Sequence, residues 1–440
     1  MTITCGAVGM PADGLRSYHC RDRKGEAASV DFSLVRLDED DTAFRDELRS
    51  TLAELVTDDV RRRNRATGDN LDLDVHLALG VKGWLAGQVK PESDGGFSSV
   101  RQRLYELETH RVGMPYFHWD ITQMVVRQLQ ANASDALNEE VLPGVLSGEL
   151  RLCLGYTEPE GGSDVATCKT RAVRDGDFWI INGAKMFTTG AHNSQYVFLV
   201  TNTDPTAPKH KSLTMFLVPL ATPGIVVQGL RTVDGDRTNI VYYGDVRVSD
   251  RYRIGEVNGG WSVLRSALDD EHSFDAGDPD VVGLRAVAGM ADHIEPVAGA
   301  IERLVTADPD DDTGRRLIDD DVVKYRLGRS FARIEAALST PDHFGRVAVG
   351  QTLRDISAEL MDVSGAAGCV PTDSEEACHD GIFEFFHRLA LPTGVYGGTL
   401  EVYRNMIAEH SLGLGRPSYT KPAARPNKSG VAPAVATKEQ

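Results

Sequence analysis

A run of hydroxyl, carboxyl and glycine residues follows a strand-like segment in the first half of the chain. It reads LCLGYTEPEGGSDVATCKTRAV from Leu152 to Val173 and holds Tyr156, Thr157 and Ser163 around the pair Gly161-Gly162. Hydroxyl groups and free backbone N–H groups at a glycine-rich bend suit phosphate or flavin heteroatoms. An ordinary turn capped by threonine and serine explains the same spacing, so the spacing alone leaves both interpretations open.

A second candidate lies near the end of the chain, where GVYGGTLEVYRN runs from Gly394 to Asn405. The paired glycines Gly397 and Gly398 indicate a sharp backbone bend or the close approach of another group. A helix is predicted to begin after them, at Thr399 and Glu401, and the free N–H groups at its start could meet the phosphate of a ligand.

A third candidate is the acidic run Asp269-Asp270-Glu271, which precedes His272 in GGWSVLRSALDDEHSFDAG. A charge run of this kind is most often the solvated acidic face of a helix. Adjacent helical residues point about 100° apart, so Asp269, Glu271 and His272 do not converge on one ion. We therefore predict no metal site here.

The secondary structure that positions these residues is predicted from two changes in the hydrophobic pattern along the chain. Helical spacing dominates the first part, where the segment from Asp41 to Asn64 predicts one amphipathic helix. Short β-type runs separated by turn dipeptides follow, as in a barrel or sandwich, and helical spacing then returns. In VVKYRLGRSFARIEAAL it places Val323, Leu327, Phe331, Ile334 and Leu338 on one face. We predict an N-terminal extension, a helical domain, a β domain, a C-terminal helical domain and a disordered tail, at residues 1–32, 33–150, 151–255, 256–416 and 417–440.

Composition excludes several classes of protein. The net charge of −18 argues against nucleic-acid binding, which needs a basic face. The six cysteines are scattered without a CxxC pair, so neither a disulfide framework nor a structural zinc site is predicted. The N-terminus lacks the pattern of a signal peptide, and no apolar stretch of about 18 residues predicts a membrane span. We expect a cytoplasmic protein.

Three ordered motifs resemble the acyl-CoA dehydrogenase family. TEPEGGSD at Thr157–Asp164 resembles the TEPxxGSD opening of that family's β domain, and Lys185–Thr189 fills its K-x-[WFY]-[IT]-[TS] segment. The ending YGGTLEVYRNMIAEHSLGL is similar to YGGTxExxRNxIAExxLGL. The resemblance covers about residues 33–417. It implies a multidomain α+β fold with an N-terminal helical domain, a central β-barrel or sandwich and a C-terminal four-helix bundle.

The resemblance also implies an activity, namely FAD-dependent desaturation of an acyl-CoA or other acyl thioester between its α and β carbons. A glutamate would remove the α proton while flavin N5 takes hydride from the β carbon. Electron-transfer flavoprotein or oxygen would accept the electrons, and the assembly would be a homotetramer or a heterotetramer with a related subunit. Three alternatives stay open: a flavin oxidase, a desaturase acting on carrier-bound acyl groups, and a non-catalytic subunit of a mixed complex.

Family positions assign roles to individual residues of this sequence. Thr157 and Thr189 are expected to hydrogen-bond the isoalloxazine edge, and Phe187 to cover one ring face. The complete set implied for the cofactor is Tyr156, Thr157, Gly162, Ser163, Phe187, Thr189, Arg303, Gly365, Gly398, Thr399 and Glu401. The set implied for the substrate is Ser163, Tyr396 and Gly397.

The position of the catalytic base differs between branches of the family. Many family members carry a glutamate directly after the tyrosine of the C-terminal motif, where this chain has Gly397. In another branch the base lies on the first helix of the C-terminal domain. Counting from Gly260, Glu271 falls at that place in the pattern L-x-x-E, and Asp270 is the second choice.

Departures from the family pattern suggest an altered cofactor site or a different partner chain. The segment expected to read RxxF keeps Arg303 but lacks the phenylalanine and carries an acidic insertion. Asp362 stands where members often have glutamine, and a carboxylate would repel a pyrophosphate unless it is paired. His272 replaces an arginine that commonly follows the base. The chain is therefore also a candidate for one half of a mixed complex with fewer flavins than subunits.

Overall fold

The computed structural model describes residues 37–272, 294–307, 314–340 and 342–415, the last range without 373, 375–376 and 378–380. The predicted extension and tail, residues 1–32 and 417–440, lie outside the described residues. The chain divides into two compact units, Met1–Val287 and Ala288–Gln440, called unit 1 and unit 2 below. In the described ranges no helix is long and apolar enough to cross a membrane.

Eight helices occur in the described part of unit 1, several of them begun by a polar side chain. Asp38, Thr57, Ser98 and Ser134 each accept a hydrogen bond from the backbone N–H three residues later. The helix predicted from Asp41 to Asn64 is therefore two helices, because Thr57 starts the second one. The helices are α1 Glu39–Leu55, α2 Asp58–Thr67, α3 Leu73–Val81, α4 Trp84–Gly87, α5 Ser99–Arg111, α6 Phe117–Asn132, α7 Asp135–Leu146 and α8 Gly260–His272.

Eight strands between α7 and α8 form one hydrogen-bonded sheet. Its order is β6-β7-β3-β2-β4-β5-β8, and β1 pairs with β4 off this path. The pairs β1–β4 and β2–β4 are parallel, and the other neighbours are antiparallel. The strands are β1 Leu152–Gly155, β2 Arg171–Asp175, β3 Phe178–Lys185, β4 Tyr196–Asn202, β5 Leu213–Pro219, β6 Ile225–Arg231, β7 Arg237–Ser249 and β8 Arg253–Ile254.

Strands β4 and β5 are buried on both faces, which explains their continuous apolar sequences. Along β4, Phe198 and Val200 belong to the apolar cluster that contains the helices, whereas Val197 and Leu199 belong to a second cluster within the sheet. In that second cluster the rings of Trp179 on β3 and a phenylalanine on β5 lie 5.5 Å apart. Since β3 and β5 are not neighbours in the sheet, the sheet curls back over itself, in agreement with the predicted barrel or sandwich.

Unit 2 is helical throughout its described residues. Four helices share one apolar core, and a short fifth helix follows the double-glycine segment. They are α9 Glu295–Thr306, α10 Asp321–Leu338, α11 Asp342–Val363, α12 Ile382–Thr393 and α13 Leu400–Met406, the last continued by a π-helical turn at Ile407–Ser411. On α10 the predicted apolar face is only partly right. The buried line runs through Leu327, Ser330, Ile334 and Ala337, which leaves Phe331 at its edge and 43% exposed.

Candidate functional site

The loop after β1 closes as a tight turn. The N–H of Glu158 donates to the carbonyl of Gly161 at 2.9 Å, and the N–H of Gly161 donates back to the carbonyl of Glu158 at 3.1 Å. Gly162 and Ser163 follow, both exposed. A Cβ added at Gly162 would lie 3.4 Å from the Thr157 Cγ2 atom, so this turn folds back beside Thr157.

A buried ion pair holds this turn to the end of β3. Lys185 Nζ lies 2.7 Å from Glu158 Oε1 and 3.3 Å from Cys168 Sγ, and it donates to the carbonyl of Tyr156 at 3.2 Å. The backbone N–H groups of Lys169 and Thr170 also donate to the carboxylate. Burial alone would raise the pKa of Glu158, but the Lys185 ammonium and these donors lower it to about 2. Burial raises the pKa of the Cys168 thiol to about 11, so the thiol stays protonated.

The segment after β3 joins the same turn and presents an aromatic ring. The N–H of Met186 donates to the carbonyl of Thr157 at 2.8 Å. Phe187 follows with a φ of 57°, a left-handed conformation that is costly for a non-glycine residue, and its side chain is 53% exposed. The Thr189 hydroxyl lies 3.1 Å from the Thr238 hydroxyl. The structure therefore brings together three residues predicted for the cofactor: Thr157, Phe187 and Thr189.

A series of hydrogen bonds that the sequence did not predict links this segment to Asn239, His192 and Asp69. Asn239 Nδ2 donates to the Thr188 carbonyl at 2.9 Å and lies 3.1 Å from His192 Nδ1, while the Thr188 N–H donates to the Asn239 carbonyl. His192 Nε2 lies 2.9 Å from Asp69 Oδ1. Burial lowers the pKa of His192, although its hydrogen bond to Asp69 opposes the effect. The Asn239 amide donates to Nδ1, which leaves Nε2 to face Asp69.

Gly190 ends the segment against a buried histidine. Its φ is 75°, and an added Cβ would lie 2.5 Å from His118 Nε2. That nitrogen lies 3.0 Å from the hydroxyl of Ser194, which donates to the Gly190 carbonyl. Only glycine fits this position, because both the backbone conformation and the His118 ring exclude a side chain.

The predicted base lies on α8 of unit 1. Gly260 begins this helix, and a Cβ there would lie 2.8 Å from the Leu213 carbonyl oxygen. Leu264 and Ala267 are buried, and position 271 follows them by two turns and one turn. The side chains of residues 269–272 lie outside the described residues, so the assignment of Glu271, with Asp270 as second choice, stays a prediction.

The double-glycine segment of unit 2 adopts the sharp bend that its sequence predicts. Gly397 and Gly398 have φ values of 58° and 85°. Tyr396 before them is partly buried, and Thr399 after them accepts a hydrogen bond from the Val402 N–H at 3.2 Å, which makes it the N-cap of α13. Glu401 is exposed and lies 3.1 Å from an arginine one turn later.

The remaining predicted residues lie on other elements of unit 2. Arg303 is exposed on α9, and Gly365 follows α11 with a φ of 63°. Asp362, which departs from the family pattern, forms an ion pair with Arg326 at 2.7 Å. That pairing supplies the positive partner without which a carboxylate would repel an anionic ligand.

Thr157, Phe187 and Thr189 have the chemical character that a planar cofactor ring requires. An exposed aromatic ring in a costly backbone conformation, on a segment that also carries Thr189 and is bonded through its backbone to Thr157, suits a planar ring with apolar faces and a polar edge. The residues of the Thr157, Phe187 and Thr189 cluster therefore fit a flavin. Across the described ranges, no group of three His, Cys, Asp or Glu side chains is placed to hold a metal ion.

Two family models match the first part of this chain, and a curated protein matches most of its length. The acyl-CoA dehydrogenase N-terminal domain model matches residues 38–149, and the middle domain model matches residues 153–246. Acyl-CoA dehydrogenase FadE26 of Mycobacterium tuberculosis is 31% identical over 85% of this chain and 96% of its own length. Acyl-CoA dehydrogenase FadE29 of the same organism is 40% identical over 44% of this chain, a match that spans 49% of that relative.

Solved structures show the same similarity. The Tcur3481-Tcur3483 steroid ACAD is similar with a TM-score of 0.73 at 28% identity, over 88% of this chain and 100% of that chain. The ChsE4-ChsE5 complex from Mycobacterium tuberculosis also gives a TM-score of 0.73 at 28% identity, with the same coverage.

Proposed function

This chain belongs to the acyl-CoA dehydrogenase family, and we propose that it catalyses the FAD-dependent α,β-dehydrogenation of an acyl-CoA thioester. The observation that carries the proposal is the bond from the Met186 N–H to the Thr157 carbonyl, which joins the loop of Thr157 to the segment that presents the exposed Phe187 ring. This cluster suits the ring of the cofactor that family membership implies.

The chemistry divides between the cofactor and the residues of this chain. When bound, the flavin accepts hydride from the β carbon of the acyl group. Thr157 and Thr189 would hold the polar edge of its ring, and Phe187 would cover one face. The α proton beside a thioester carbonyl is weakly acidic, so its removal needs a positioned base, which we assign to Glu271. Gly397 occupies the loop position at which other members carry that base.

The assignment of the base is tested by matched amide substitutions. We expect Glu271→Gln to retain flavin and thioester binding while turnover falls about 100-fold or more, because base catalysis is lost. Asp270→Asn should keep most of the activity, and Glu54→Gln, an exposed glutamate on α1, is the matched control. Turnover is measured by steady-state kinetics, and flavin content by absorbance. Unchanged turnover in Glu271→Gln with a loss in Asp270→Asn would transfer the role to Asp270.

The reaction itself is tested by anaerobic bleaching of the bound flavin across a panel of acyl-CoA thioesters. The panel includes a steroid side-chain thioester, because the similar Tcur3481-Tcur3483 structure is that of a steroid ACAD. Reoxidation by electron-transfer flavoprotein or by oxygen then identifies the acceptor. Bound flavin that no member of the panel bleaches would refute the proposed activity and favour a non-catalytic subunit.

We also propose that the chain works in a mixed complex with a related subunit. The support is its similarity to two structures that each join two different proteins, together with the loss of the phenylalanine after Arg303. Co-expression with the neighbouring gene product should yield a complex with fewer flavins than chains, counted by absorbance and protein mass. A homotetramer with one FAD per chain would refute this assembly.

A further inference from the structure

One arginine of unit 2 has a fully buried side chain. Arg346 on α11 is the largest of the fully buried side chains, and within the described part of unit 2 no Asp or Glu lies at salt-bridge distance from it. Its Nε and Nη1 atoms are buried without a hydrogen-bond partner in the structure. Burial of a guanidinium without a counter-charge costs free energy, so we expect Arg346 to be retained for a function.

The contacts of Arg346 lead to the double-glycine segment. Its Nη2 atom donates to the Thr393 carbonyl at 2.6 Å and to the Tyr396 carbonyl at 3.1 Å. The guanidinium lies 5.4 Å from the ring centroid of Tyr403 on α13, and the Tyr403 hydroxyl donates to the Gly397 carbonyl at 3.0 Å. Two stacked side chains thus hold three carbonyl groups around the bend.

The planarity of the peptide bond links these carbonyl groups to the amides on their other side. In a trans peptide the C=O of one residue and the N–H of the next point in opposite directions. Because Arg346 binds the Tyr396 carbonyl, the Gly397 N–H points away from Arg346. Because the Tyr403 hydroxyl binds the Gly397 carbonyl, the Gly398 N–H points away from that hydroxyl. In the structure neither amide donates to another described residue.

We propose that Arg346 and Tyr403 form a clamp that fixes the peptide planes at Tyr396 and Gly397 and so orients the two glycine amides toward the thioester carbonyl. The proposal rests on the proposed function and on the predicted role of Tyr396 and Gly397 in binding the acyl thioester. Arg346 and Tyr403 are positioning residues, since they act through the backbone and not on the substrate. Oriented amides stabilise the negative charge that develops on the carbonyl oxygen as the α proton leaves.

The test uses the full-length protein and its fastest acyl-CoA substrate. We expect Tyr403→Phe, which removes one hydroxyl, to lower kcat about five- to tenfold with KM within about twofold and flavin content unchanged. Arg346→Lys keeps the charge but loses the planar, stacked donor, and it should lower kcat at least as much. A second readout is the absorption of bound cinnamoyl-CoA, whose red shift grows as its carbonyl is polarised. The shift should be smaller in both variants.

Matched controls in unit 2 separate this role from a general loss of stability. Tyr325→Phe changes a tyrosine that is 66% exposed, and Arg333→Lys changes a partly exposed arginine that pairs with Asp355. Both should match the wild type in kcat and in the cinnamoyl-CoA shift. If Arg346→Lys does not fold, Tyr403→Phe carries the test.

Two outcomes overturn the clamp in distinguishable ways. A folded Tyr403→Phe protein with wild-type kcat and a wild-type cinnamoyl-CoA shift overturns the clamp and leaves the proposed function intact. A wild-type protein that neither bleaches with any thioester nor shifts the cinnamoyl-CoA absorption overturns the proposed function and the clamp together.

Discussion

Replacement of Lys185 by methionine removes the cation from a buried ion pair and leaves its partner charge in place. The pKa of Glu158 is lowered from 4.5 to about 2, and since one pKa unit is worth about 1.4 kcal/mol, the charge is stabilised by about 3 kcal/mol. Two backbone N–H donors remain on the carboxylate in the variant. We therefore expect a loss of about 3 kcal/mol, the lower end of the range for a broken buried pair.

Urea unfolding followed by tryptophan fluorescence measures this loss selectively. All four tryptophans belong to unit 1, namely Trp84, Trp119, Trp179 and Trp261. A loss of about 3 kcal/mol corresponds to a fall of about 1 M in the urea midpoint of the unit 1 transition.

The pH dependence of the loss provides a second test of the same pair. Because the pKa of Glu158 is lowered in the wild type, its stabilisation is present above about pH 4.5 and is lost as the pH falls toward 2. Without Lys185, burial raises the pKa of Glu158, so protonation relieves the unpaired charge at a higher pH. The difference between variant and wild type should be largest near pH 7 and should shrink toward pH 4.

An exposed lysine in the same loop region provides the control. Lys169 pairs with Glu160, and both side chains are about two-thirds exposed, at 68% and 66%. Lys169→Met should change stability by no more than about 0.5 kcal/mol. Equal urea midpoints for the two methionine variants, or a Lys185→Met deficit that stays constant from pH 7 to pH 4, would refute the assigned role of the buried pair.

Two further predictions concern the contact between Gly190 and His118. Gly190→Ala should destabilise unit 1 by about 2 kcal/mol or more, because its φ is 75° and the new Cβ would meet the His118 ring at 2.5 Å; an unchanged thermal midpoint by circular dichroism would contradict this. Burial lowers the pKa of His118 to about 3, so the unfolded chain takes up a proton below pH 6.5 while the folded chain does not, and the wild type should lose about 2 kcal/mol through this residue at pH 5. His118→Gln should show a correspondingly smaller fall in urea midpoint between pH 7 and pH 5, and identical falls would exclude the assignment.

Local patterns predicted the elements well where a single physical rule decides them. The order of helices, strands and helices followed from hydrophobic spacing, and the sharp bend at Gly397 and Gly398 followed from the pair of glycines. The break between α1 and α2 was missed because Thr57 continues a helical pattern while its hydroxyl accepts from Val60 and begins a new helix. There the cap outweighed the spacing.

The supporting residues of the site were beyond prediction for a different reason. Asp69 and His192 are 123 positions apart, and each on its own is explained by an ordinary surface role. Arginine is rarely fully buried, so the sequence does not predict the burial of Arg346, and only the fold shows it. The proximity of Thr157 to Phe187 was expected from family motifs, since spacing alone does not bring a turn after β1 to the end of β3.

Strand β4 is buried on both faces, and this limits where unit 1 can be cut into fragments or recombined with a relative. The sequence changes character near residue 150, but the apolar cluster that contains Leu129 on α6 also contains Phe198 on β4 and Leu217 on β5. Cutting the chain near residue 150 would expose the apolar residues of α6 in one fragment and those of β4 and β5 in the other. Helical and β segments of this unit are therefore exchangeable between relatives only together, or with the facing positions of β4 and β5 changed to match.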